Sequence, residues 1–170
     1  MILKTSEFIS SLQDEVRILL HLASKIDRSK LDYRPTPKQR STFELLRYLS
    51  MMGPMMTKYG LSKDGAFDRD AWMAASESAE KRDFNQTIVA IAAHSGEYEK
   101  LLADVTDADF RSEMAGFDGS KMTRGSYLVT SVLGGCAAYR MQLFLYLKAC
   151  GQEELGTSNL WRGVDAPVAS

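Results

Sequence analysis

Apolar residues recur at helical spacing in four long stretches of the chain, and no stretch alternates as a half-buried strand would. Phe8, Leu12, Val16, Leu19, Ala23 and Ile26 step by three and four, which predicts a helix from about Thr5 to Ile26. Asp14, Glu15, Arg17 and Lys25 fall largely off that stripe. Pro35 and Pro37 interrupt helix in the connection that follows. A second helix begins at Ser41, where Ser41-Thr42-Phe43-Glu44 places a hydroxyl and a carboxylate at capping-box spacing. Leu45, Tyr48, Met52, Met55 and Tyr59 share its core face. Pro54 predicts a kink or break near Met51, and Gly60 a stop. The polar crossover from Leu61 to Arg82 has room for a short helix around Trp72.

A third long helix begins near Asp83, which repeats the capping-box spacing with Gln86. Phe84, Ile88, Ile91, Tyr98, Leu101 and Leu102 line its core face, with His94 beside them. The fourth runs from Thr123, a hydroxyl cap, to Cys150, with Gly151 as its terminator. It is apolar almost all round, so it is expected to be the most buried helix. The tail from Gln152 to Ser170 reads as irregular, with Trp161 as an anchor. The pattern predicts an all-α fold, a four-helix bundle with a long crossover between helices 2 and 3. Residues 1–151 form the bundle domain and 152–170 a tail packed on it.

Composition narrows the function classes. A chain of 170 residues is one domain by size and long enough for a real core. Its net charge is −1, with Lys and Arg scattered, so nucleic-acid binding by phosphate neutralisation is not expected. The N-terminus carries too few apolar residues for a signal peptide. Tyr127 to Leu147 is long and apolar, but Arg140 and Gln142 inside it are costly in a bilayer. A buried bundle helix explains it more simply, and the chain is expected to be soluble and cytoplasmic, without membrane partners. Cys136 and Cys150 fall in one helix, roughly 21 Å apart at ~1.5 Å per residue, too far for a disulfide. Two free thiols fit a reducing compartment.

Candidate chemistry gathers at Gly134-Gly135-Cys136-Ala137-Ala138-Tyr139-Arg140-Met141-Gln142 in the last helix. Together with Arg34-Pro35-Thr36-Pro37-Lys38-Gln39-Arg40-Ser41, Glu44-Leu45-Leu46-Arg47-Tyr48-Leu49 and the ending Glu154-Leu155 to Asn159-Leu160-Trp161, it resembles the DinB-like (damage-inducible) superfamily, bundle proteins related to bacterial thiol transferases. The resemblance covers nearly the whole chain and lies in the order of short motifs. It implies a divalent metal held by three histidines, one from helix 2 and two from helix 4, four residues apart. The corresponding positions are Tyr48, Gly135 and Tyr139, none of them histidine. Glycine has no side-chain donor, and an ordinary phenol is protonated at neutral pH. The resemblance therefore implies the fold and a degenerate metal site.

The individual residues support two kinds of reading. Tyr48 and Tyr139 across the bundle interior would form a pocket for a polar ligand, or would fill the old metal cavity. The space beside Gly135 would be a ligand cavity or a close helix contact. Cys136 is a nucleophile or soft ligand if its pKa is lowered, and otherwise a small apolar core residue. Arg140 binds an anionic substrate or pairs with a carboxylate inside the fold. Met51, Met52, Met55 and Met56 fit an adaptable surface or core filler. His21 and His94 lie on different helices; a site using them with Glu97 has no motif behind it. The sequence identifies no catalytic residue. Its leading functional expectation is a metal-free DinB-like protein, without cofactor, that binds a small molecule or protein partner and forms a homodimer. The alternative is a metal-dependent thiol transferase or hydrolase with zinc or nickel on non-standard ligands.

Overall fold

The computed structural model describes residues 4–63 and 65–167; the expectations for the extreme N-terminus and for the last three residues of the tail lie outside the described residues. Four long helices form the bundle: α1 (Thr5–Ala23), α2 (Thr42–Leu61), α4 (Phe84–Leu102) and a final helix spanning Arg124–Ala149. Between α2 and α4 the crossover carries α3 (Arg69–Glu80), the short helix expected around Trp72. α4 and the final helix each pack against both α1 and α2, so α1 and α2 stand diagonally across the bundle. Phe8, Leu12, Leu22, Leu45, Leu46, Ile91, Leu102, Leu128 and Leu143 are fully buried in the shared core.

The helix starts follow local chemistry. Ser41 Oγ accepts from Glu44 N–H while Glu44 reaches back to the Ser41 amide, which satisfies donors the first turn would leave orphaned. Asp83 and Gln86 do the same for α4. Thr123 caps the final helix by accepting from Ser126 N–H. Gly151, at φ +102°, lies just beyond its end, in the conformation glycine adopts without strain.

Three features depart from the pattern-based expectation. Pro54 does not break α2, which runs on to Leu61. Between α4 and the final helix lie a short helix α5 (Asp107–Arg111) and a two-stranded hairpin, β1 (Glu113–Ala115) and β2 (Lys121–Thr123), paired antiparallel with Met114 opposite Met122. Tyr59 Oη donates to the Ala115 carbonyl at 3.0 Å and ties the hairpin to α2. The final helix is not the most buried: only 22% of its most apolar window is buried, and Val129, Met141 and Leu145 face outward. Its bundle neighbours are α1 and α2. By length and composition alone it could cross a membrane.

The final helix is also not uniform. It is α-helical over α6 (Arg124–Tyr127), π-helical over Leu128–Leu133 and α-helical again over α7 (Gly134–Ala149). The Gly134 amide donates to Val129 O, five residues back. Beyond it the tail packs on α1 and α7. Leu155, Asn159 and Leu160 are its buried anchors, whereas Trp161 is 63% exposed, so the expected tryptophan anchor is instead a leucine pair and an asparagine.

Candidate functional site

Tyr48 projects from the middle of α2 and Tyr139 from α7, and the two rings meet edge to face with centroids 5.1 Å apart. Burial, then the hydrogen bond to Tyr139, push the Tyr48 phenol well above its usual range. Tyr48 also meets Trp72 of α3 edge-on at 6.3 Å, and the Arg40 guanidinium lies 4.0 Å above its ring. Arg40 is held there by its backbone: Gln142 donates to Tyr146 Oη at 2.6 Å, and Tyr146 Oη donates to the Arg40 carbonyl at 3.0 Å. The glutamine of the Arg-x-Gln stretch thus positions the loop that covers Tyr48. A cleft of about 510 Å³ opens here, lined by Arg40, Glu44, Arg47, Tyr48, Trp72 and Ser76 among others. A larger one, about 610 Å³, lies along α2 and α3 around Met55, Tyr59 and Phe67, without Tyr48, Gly135 or Tyr139 in its lining.

Deeper in the bundle, Pro54 organises a second polar group. Proline has no N–H, so the Ser50 carbonyl loses its helical donor. His94 Nε2 lies 3.0 Å from that carbonyl, a contact that requires the Nε2–H tautomer as donor, and Arg82 Nη1 donates to it at 3.3 Å. Burial, and to a lesser extent Arg82, lower the His94 pKa against the raising influence of the Ser50 bond and Glu97. Gly53, just before the proline, leaves room for Tyr98: a Cβ there would sit 2.0 Å from Tyr98 Oη. Tyr98 is hydrogen-bonded to Cys136, whose thiol is pushed up to about 12 by burial first and Glu15 second. His94, Tyr98, Cys136 and Glu15 edge a cavity of about 20 Å³, enough for one water.

Tyr48, Gly135 and Tyr139, the positions to which the family resemblance assigns metal ligands, do not suit a three-histidine metal. Gly135 contributes no donor, and its nearest neighbour on the side-chain side is Met52 Cε, 3.8 Å from where a Cβ would be. Tyr48 is further from a phenolate than a free tyrosine. Among the described residues no three His, Cys, Asp or Glu side chains cluster in a metal-holding arrangement. His21 is engaged far from His94: its Nε2 is 3.1 Å from Asn159 Nδ2 and 3.6 Å from Asp165 Oδ1, which pins the tail to α1.

Arg140 pairs with Glu15 of α1, Nε to Oε2 at 3.2 Å, with both side chains largely buried. Periodicity sets Glu15 off the core stripe, yet an arginine in an apolar helix demands a carboxylate partner. Cys136 and Cys150 are both half-buried and free. Met51 and Met52 are core residues, while Met55 and Met56 are half-buried. The residues whose part in the site periodicity does not reveal are Arg40, Trp72 and Tyr98. The first two reach the site from the loop and the crossover, where no helical repeat marks a facing direction. Tyr98 is visible in the sequence as a core position, but its hydroxyl's place depends on Gly53 of another helix.

Comparison with known proteins bears on the fold. No protein-family model and no curated protein sequence matches the chain. Among solved structures it is similar to a DinB-like protein, YjoA, from Bacillus subtilis, with a TM-score of 0.65 and 19% identity. The match covers 88% of this chain and 95% of that one. The helix order, the helical crossover and this superposition lead to one conclusion: the chain has the all-α four-helix-bundle fold of the DinB-like proteins.

Proposed function

We propose that this DinB-like chain is a metal-independent binding protein for a polar small molecule with a planar part, taken up in the cleft at Tyr48. The observation that carries the reading is the pair Tyr48–Tyr139, bordered by a cleft with both cationic and aromatic walls. Trp72 and Tyr48 offer ring faces and edges, and Arg40 and Arg47 offer planar cations. Arg47 is already committed to the Arg82 carbonyl through Nε and Nη2, so Arg40 is the more adaptable of the two. No catalytic step is assigned.

The test is elemental analysis of purified, untagged protein after incubation with zinc and nickel and then desalting, together with a small-molecule screen read by tryptophan emission. The expected result is no stoichiometric metal, and ligands whose binding, confirmed by calorimetry, is lost in W72A and R40Q. Near one metal per chain would overturn the reading in favour of a metal-dependent thiol transferase or hydrolase.

The same reading includes a homodimer packed through the outer face of α7. The observation favouring it is the exposed, uncharged strip of Ala138, Met141 and Leu145, with Leu145 57% exposed. Sedimentation is expected to show a dimer that M141E/L145E converts to a monomer. A monomeric wild type would remove it.

A further inference from the structure

Arg140 presents an accounting problem. It is 5% exposed, sits in the most apolar helix, and carries five N–H donors. Among the described residues none of those donors makes a hydrogen bond. The Nε atom and Glu15 Oε2 are both buried without a hydrogen-bond partner, because their 3.2 Å ion contact is out of hydrogen-bonding alignment. Buried guanidinium groups are ordinarily satisfied by hydrogen bonds; Arg140 has its ion pair with Glu15 but no aligned bond, which leaves its Nη donors open to a further acceptor.

The surroundings suggest which acceptor fits. Arg140 lines a groove of about 450 Å³ between α1 and the final helix, walled by Ile18, Val129, Leu133 and Ala137. Trp161 of the tail lies across it, its ring centroid 5.6 Å from the Arg140 guanidinium carbon and its surface largely exposed. The other cation of the groove, Arg17, is already occupied: it pairs with Asp14 at 3.1 Å and donates to the Arg162 carbonyl at 2.6 Å. Three of the five Arg17 donors are thus engaged, whereas Arg140 has no hydrogen bond among the described residues.

We propose that this groove is a second binding site, distinct from the Tyr48 cleft and independent of it, for a monocarboxylate with an apolar body. The carboxylate takes the unsatisfied donors of Arg140, whose planar fork matches it. The apolar body lies along Ile18, Val129 and Leu133 beneath the Trp161 ring. Glu15 keeps its place on the Nε side and limits affinity, since a second carboxylate approaches the same cation.

The test is calorimetric titration of the full chain with decanoate below its micellar range, beside decylammonium and decanol. The expected result is saturable binding of decanoate, roughly tenfold or more tighter than either control, as a charge-assisted pair implies. R140Q is expected to weaken decanoate roughly tenfold, and E15Q to tighten it several-fold by removing the competing carboxylate. Should R140Q fail to fold by circular dichroism, the exposed substitution W161A decides, with an expected several-fold loss. No saturable binding, equal affinity for decanoate and decylammonium, or binding that survives R140Q or W161A unchanged would overturn the proposal.

Discussion

Gly53→Ala tests the interior directly, because two physical effects oppose each other there. Gly53 lies inside α2, and replacing a helical glycine by alanine usually stabilises by about 0.5–1 kcal/mol. Here the new Cβ would stand 2.0 Å from Tyr98 Oη and 3.3 Å from its ring carbon Cζ. Tyr98 is 1% exposed and bonded to Cys136, so its ring cannot swing away without disturbing the core. Overpacking of that kind costs about 1–3 kcal/mol, which outweighs the propensity gain. The substitution is therefore expected to destabilise by about 1–2 kcal/mol net in urea unfolding. Removing the offending oxygen should reverse the sign. The 2.0 Å contact is with the hydroxyl, so G53A/Y98F is expected to be more stable than the sum of the single changes by about 1 kcal/mol or more. A G53A protein as stable as wild type, or an additive double-mutant cycle, would refute the close approach of α2 and Tyr98.

His94→Leu should cost about 1–3 kcal/mol by taking a donor from the buried Ser50 carbonyl, and P54A in the same chain should recover most of it by supplying the missing N–H; equal losses with and without P54A in urea melts would show that His94 does not serve that carbonyl. The lowered His94 pKa has a definite sign: the fold favours the neutral ring, so its contribution is complete above the ordinary value of 6.5 and is lost as pH falls below it. Unfolding midpoints between about pH 7.5 and 5 should fall more steeply in wild type than in H94L, part of the remaining slope belonging to His21, whose pKa is also lowered, chiefly by burial. Cys136, with its thiol pushed up to about 12, should resist iodoacetamide in the native protein while Cys150 is alkylated, as read by mass spectrometry; rapid labelling of Cys136 under native conditions would contradict its placement in the core.

How much of the fold and the site is legible in the sequence depends on the range of the interaction. Caps are local, so Ser41 with Glu44, Asp83 with Gln86 and Thr123 can each be read from four consecutive residues. The crossover helix and the four main stripes are readable because helical repeats span many residues. The hairpin at 113–123 is not: three-residue strands carry almost no periodicity. The burial of the final helix escapes for a different reason. An all-round apolar composition says what a helix can bury, not how many neighbours the topology gives it. Tyr48 and Tyr139 stand out through the family resemblance, and nothing in their local sequence says that Arg40 and Trp72 close over them. Glu15 looks like a solvated position when α1 is considered alone; only Arg140 opposite makes it a partner.

Both helices that carry the Tyr48–Tyr139 pair are irregular, and each irregularity has consequences beyond its own turn. In α2, Pro54 frees a carbonyl and thereby recruits His94 and Arg82 from elsewhere in the chain. In the final helix, the π-helical turns end at Gly134, immediately before Gly135. A stretch with more than 3.6 residues per turn rotates everything after it relative to a regular helix. Among the buried positions, Leu128, Val132, Arg140, Leu143 and Leu147 keep to spacings of three, four and their sums, with Tyr127 and Tyr146 beside them, so the spacing conceals the change. That rotation sets where Tyr139 and Arg140 point, one toward Tyr48 and the other toward Glu15 and the groove. Adjacent residues, about 100° apart around the helix, thus serve different sides of α7. Changes at Tyr48 and Tyr139 therefore need not disturb the arginine side, which is why the two proposed sites can be tested, and can fail, separately.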